Sequence, residues 1–142
     1  MQYENEASVF FRAKSENESF SRIFIAGFLS QLDPTLSELI DIKTAVSEAV
    51  TNAIIHGYEQ AEGMVEVFCG YIDNEVYIKI SDQGKGIPDI SRAREPLYTS
   101  KPDMERSGMG FTIMESFMDQ IQVESSMGKG TCIHMKKILT KE

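Results

Sequence analysis

The chain reads as an α+β fold, a two-layer sandwich with a mixed sheet and helices on one face. Three observations predict it. Short segments rich in Val, Ile and Phe alternate at a period of two around tight turns, at 64–81 and 121–137. Two long segments, 16–32 and 36–56, instead repeat apolar residues at helical spacing. The length, 142 residues, fits one domain with one sizeable core, so a single domain over 1–142 is expected.

The elements follow in order. Ala7 to Ala13 is short and rich in Val and Phe, a first strand. Ser15 precedes Glu16 and Glu18, an N-cap with acid in the first turn, and Phe20, Ile23, Phe24, Ala26 and Phe28 recur at helical intervals. Asp33-Pro34 ends that helix, and Thr35 caps the next. The second helix is expected from Leu36 to His56, with Leu39, Ile42, Val46, Ala49, Val50 and Ala53 as its apolar stripe and Gly57 as its stop. Met64 to Tyr71 and Glu75 to Ser81 form a hairpin around Asp73-Asn74. The stretch from Gly84 to Gly110 holds four glycines and three prolines and is too long for an ordinary connector, so it is expected to be a mobile functional loop. Phe111 to Met118 is a short apolar helix, with Met114 and Met118 as core filler. Ile121 to Glu124 and Thr131 to Lys137 close the chain as a hairpin around Gly128-Lys129-Gly130.

Composition narrows the function. The net charge of -8 argues against direct nucleic-acid binding, which needs a basic face, and suits a partner with a basic surface. Cys69 and Cys132 lack the spacing of a secreted disulfide scaffold and read as small apolar strand residues in a reducing compartment. No signal peptide is evident, and no apolar run approaches about 18 residues. A cytoplasmic, non-membrane protein is expected. No internal repeat is present.

Three segments carry chemistry. On the second helix, Glu48 and Asn52 lie one turn apart, beside the apolar stripe and outside its centre. A carboxylate there can act as a general base, and an amide oxygen can ligate Mg²⁺. The same pair also fits an ordinary solvated helix face. Asp82 ends a strand before Gly84 and Gly86; its carboxylate can accept from an exocyclic amine such as that of adenine, or the motif is simply a turn. Ser107-Gly108-Met109-Gly110 precedes a helix, where free N–H groups form an anion site, and Lys101 and Arg106 could meet phosphate oxygens; a normal flexible cap is the alternative. Neither a P-loop nor a dinucleotide fingerprint occurs. His56 reads as a capping residue near a helix end, and His134 as an exposed strand residue without a role.

The order of these segments resembles the ATP-binding fold shared by gyrase, the ninety-kilodalton heat-shock chaperones, sensor histidine kinases and mismatch-repair ATPases. More narrowly, SENESF (15–20), EAVTNAIIHG (48–57), DQGKGIPD (82–89) and ERSGMGFTIME (105–115) look like the anti-sigma-F serine kinases of endospore-forming bacteria. The resemblance covers nearly the whole chain. It implies that the protein binds ATP or ADP with Mg²⁺, holds a sporulation sigma factor inactive as a homodimer, and phosphorylates a serine on an anti-anti-sigma protein. By that likeness Glu48 is the catalytic base and Asn52 the Mg²⁺ ligand. Asp82 reads adenine, Gly84 and Gly86 line the loop beneath the base, and Thr131 lies near adenine. Ser107, Gly108, Met109 and Gly110 bind phosphate, and Arg22 contacts a partner. A lid is expected over about 96–110.

Three readings compete. One is the serine kinase and anti-sigma factor. The second is a non-catalytic module that sequesters a sigma factor and uses nucleotide as a structural ligand; Glu48 favours the first, since a pure binder needs no base. The third is the ATPase domain of a histidine kinase or of a mechanical ATPase. It calls for a phosphoaccepting histidine on an upstream helix or for a long transducing domain. The only histidines are His56 and His134, and the chain ends at Glu142.

Overall fold

In the computed structural model the polypeptide builds a five-stranded sheet in the order β1-β2-β3-β5-β4, with helices packed on one face. The structure describes residues 2–57, 63–84, 110–126 and 128–140, with only the backbone at 56 and 57. The strands are β1 (Asn5–Arg12), β2 (Met64–Ile72), β3 (Glu75–Asp82), β4 (Gln120–Ser126) and β5 (Gly130–Ile138). The helices are α1 (Glu16–Leu29), α2 (Leu36–Asn52) and α3 (Gly110–Phe117).

All four pairings between described neighbours are antiparallel. Strands β1, β3 and β4 therefore run one way and β2 and β5 the other, so β3 and β4 are parallel only as second neighbours across β5. The first strand starts two residues earlier than expected, because Asn5 and Glu6 still find partners in Tyr71 and Gly70.

Strand alternation sends Phe11, Val65, Val67, Cys69, Val76, Ile78, Ile80, Ile133 and Met135 to the helical side. There they meet Ile25 and Leu29 of α1, the Ile42-Ala45-Val46-Ala49-Val50 stripe of α2, and Phe111 and Met114 of α3. Met114 and Met118 are core filler, as expected. Lys137 braces three elements: its Nζ donates to Phe117 O at 2.6 Å and lies 3.4 Å from Asp41 of α2. The opposite sheet face carries no described helix. Tyr3 lies against Phe68 and Tyr77, and Lys79 sits over the Phe68 ring.

Two helix starts behave differently. Thr35 is extended (φ −66, ψ 159) and forms a full capping box with Glu38, in accord with its sequence. Ser15 has helical angles (φ −58, ψ −30) and makes no side-chain cap. A capping oxygen reaches back only from an extended residue. The Ser15 hydroxyl instead donates to the Glu16 carboxylate, and Asn17 Nδ2 ties the helix start to Arg12 O at 2.9 Å.

The second helix does not run as one α-helix to His56. It ends at Asn52 and continues as a wider π-helical turn over Ala53–Gly57. His134 is half-buried rather than exposed, with Nε2 3.4 Å from Cys132 Sγ and 3.5 Å from Glu124. Its neighbours on the open sheet face are polar, so the position stays outside the core. The capping role expected of His56 and the lid at 96–110 up to residue 109 lie outside the described side chains.

Candidate nucleotide site

The site grows from the sheet register. Asp82 is the last residue of β3 and, by alternation, points to the same side as Ile80 and Ile78. It pairs with Thr131 of β5, which pairs in turn with Ser125 of β4. A row of three polar side chains thus closes one end of an otherwise apolar face. Asp82 and Thr131 are 7% and 8% exposed, and with Ser21 they are the buried polar residues among those described.

Burial is the main reason that the Asp82 carboxyl is pushed above its ordinary pKa. Backbone N–H groups of Gly84 and Thr131 oppose the shift, with Gly84 N donating to Oδ1 at 2.9 Å. A buried carboxylate with capacity to accept further hydrogen bonds fits an exocyclic amine. Gly84 therefore holds the acid, beyond lining a turn.

Gly130 is what lets β5 come this close. It has φ +96, and a Cβ there would run into the Asp82 carbonyl oxygen and lie 2.8 Å from Gln83 Cα. Only glycine suits both conditions. Sequence reasoning placed Gly130 in the turn and passed over Ser125. Gly128, with φ +78, already accounts for a turn glycine, and an isolated serine at a strand end gives no signal until the register is known.

Glu48 and Asn52 are both half-buried on the last turns of α2, the boundary position their spacing predicts. That helix packs against α3, whose first residue, the buried Gly110, was expected to bind phosphate. The π-helical turn after Asn52 contacts β3 and β5, the strands that bear Asp82 and Thr131. Wide turns of this kind occur often at functional sites. Among the described residues no group of three or more His, Cys, Asp or Glu could cage a metal ion. A Mg²⁺ ion would instead take the Asn52 amide oxygen together with substrate oxygens and water, a donor set that suits it. Gly86, Lys101, Arg106, Ser107, Gly108 and Met109 lie outside the described residues.

Arg22 stands apart from this corner, on α1. Its Nε is 2.8 Å from Glu18, whose other oxygen accepts from Ser47 Oγ of α2 at 2.5 Å. Arg22 lines a shallow groove with Ser19, Ile23, Ala26, Gly27 and Lys43.

Known proteins resemble this chain in sequence and in fold. The histidine kinase-like ATPase domain family matches residues 11–137. An anti-sigma F factor of Clostridium acetobutylicum is 62% identical over 134 residues, covering 94% of each chain. One from Bacillus licheniformis is 57% identical over 96% of this chain and 94% of its own. Solved structures are similar in fold. The RsbU and RsbW domains of a Mycobacterium tuberculosis protein give a TM-score of 0.72 at 18% identity, over 97% of this chain and 33% of theirs. The catalytic domain of the histidine kinase ThkA gives 0.59 at 14% identity, over 94% of this chain and 96% of its own. The chain therefore belongs to the histidine kinase-like ATPase domain family and, within it, to the anti-sigma F factors.

Proposed function

We propose that this protein is an ATP-dependent serine kinase and anti-sigma factor of the cytoplasm. It binds ATP at the Asp82 corner, sequesters a sporulation sigma factor as a homodimer, and transfers phosphate to a serine of an anti-anti-sigma protein. The observation that carries the reading is Asp82 itself. It is a buried carboxylate held by two backbone N–H groups, on strands touched by the end of the helix that bears Glu48 and Asn52.

Phosphoryl transfer needs positioning and charge neutralisation more than covalent help. Asp82 accepts from the adenine amine, and the buried Thr131 closes the same corner. Glu48 takes the proton from the substrate serine hydroxyl, for which a half-buried carboxylate is suited. Mg²⁺ on the Asn52 oxygen supplies charge neutralisation at the phosphates when bound. The Gly110 end of α3, with Ser107, Gly108, Met109, Lys101 and Arg106 before it and Gly86 in the other glycine loop, completes the nucleotide contacts. The α1 groove supports a partner face: Arg22 is held in place by Glu18, and Ile23 beside it is 68% exposed.

Purified protein incubated with labelled ATP and the anti-anti-sigma protein tests the reading. Label is expected on a serine of the antagonist, and Glu48→Gln is expected to lower transfer by about 10²- to 10⁴-fold while nucleotide still binds. ATP binding without any labelled serine would reduce the protein to a nucleotide-dependent sequestering module.

A further inference from the structure

A hydrogen bond between the first two helices ties the α1 groove to a residue that neither the family resemblance nor the proposed mechanism uses. Ser47 is half-buried on α2, and its Oγ donates to Glu18 Oε1 at 2.5 Å. The other carboxylate oxygen of Glu18 accepts from Arg22 Nε at 2.8 Å. Glu18 therefore stands between a hydroxyl of one helix and a cation of the other. An i,i+4 ion pair at partial exposure is weak by itself, because two long side chains must give up their rotamers to hold one geometry. A hydroxyl from the neighbouring helix takes that freedom from the acid, and the acid then sets the direction of the guanidinium. A guanidinium is a fork of N–H donors, so one held through Nε can still meet a second carboxylate.

The groove suits such a carboxylate. Arg22 and Lys43 both line it, in a chain whose net charge is -8, next to the exposed Ile23. Gly27 lines it too, and a Cβ added there would meet nothing within 4 Å, so this stretch is open to an incoming side chain. We infer that Ser47 is a positioning residue of the partner face: through Glu18 it holds Arg22 in the direction that meets a carboxylate of the sigma factor. The inference rests on the α1 groove being a partner face.

The test is equilibrium binding of the sigma factor, with ATP present, to the wild type, Arg22→Ala, Ser47→Ala, Ser47→Thr and the Arg22→Ala/Ser47→Ala double variant, with thermal melting showing that each is folded. Arg22→Ala is expected to weaken binding most. Ser47→Ala is expected to weaken it by about three- to tenfold, the range for coupling between residues of one hydrogen-bonded network. Ser47→Thr, which keeps a hydroxyl, is expected to restore it. On the Arg22→Ala background the loss of Ser47 should cost nothing further, and ATP affinity should not respond to Ser47→Ala. Unchanged sigma binding in Ser47→Ala, losses that add in the double variant, or a parallel fall in ATP affinity would each overturn the inference and leave the partner face intact. Unchanged sigma binding in Arg22→Ala would overturn the reading of that face itself, and the inference with it.

Discussion

The inner face of the sheet has two regions built by the same strands. In its middle, Val67, Ile80 and Ile133 sit side by side across β2, β3 and β5 and close the core. One step further along the same strands, Val65, Asp82 and Thr131 occupy the next inward row, with Ser125 extending it onto β4. Alternation decides only which way these side chains point. Residue chemistry decides whether the row packs or binds. The middle is stabilised by transfer of apolar surface from water; the end row spends some of that stability to hold a carboxylate out of solvent.

Substitutions can break this contrast. The largest effect on folding is expected in the middle: Ile80→Ala should cost roughly 3 kcal/mol, the range for a large-to-small change in a packed core. Chemical denaturation would measure it, and ATP affinity of the folded fraction should change little. Gly130→Ala, at the joint between the regions, should cost on the order of 2 kcal/mol from its positive φ and the clash with Asp82. Here ATP binding should fall as well, because β3 and β5 must separate where the acid is held.

Asp82→Asn should act in opposite senses on the two properties. Its folded pKa is raised by burial, so the stability linked to its protonation is present below the ordinary carboxylate range and is lost as pH rises through the folded value. At neutral pH the neutral amide should therefore raise the melting temperature. ATP affinity should drop about tenfold or more, since a charged acceptor is lost. A melting temperature that falls would show the acid to be structural. The smallest effect is expected far from the corner. Burial pushes Glu38 up, but hydrogen bonds from Thr140 and Thr35 outweigh it and bring its pKa down to about 2. A lowered carboxylate stabilises above its ordinary pKa and loses that contribution as pH falls toward about 2. Glu38→Gln should then cost about 1 kcal/mol at neutral pH, and the difference from wild type should vanish in strong acid. Melting curves across pH would measure it.

Much of this was legible in the residues. The alternating runs at 64–81 and the capping box at Thr35 each specify their structure locally, so the hairpin and the start of α2 stand where expected. The inert reading of Ser15 could not be read, because a cap depends on backbone angles that the letter S does not carry. The π-helical turn after Asn52 was equally hidden: over five residues, apolar spacing does not separate 3.6 residues per turn from a wider one. For the site, Asp82 and Glu48 stood out by type and place, whereas Ser125 and Gly130 gained meaning only from strands brought together by the register.

The two thiols of the chain differ in a way that is useful at the bench. Burial pushes Cys69 up to about 12 and shuts it inside the core, so alkylating reagents should pass it by. Cys132 is half-buried, follows Thr131 directly and points out of the opposite side of the sheet. A fluorophore attached there would ride on the strand that bears Thr131 without entering the Asp82 corner, an optical reporter that tests whether nucleotide arrives at that corner.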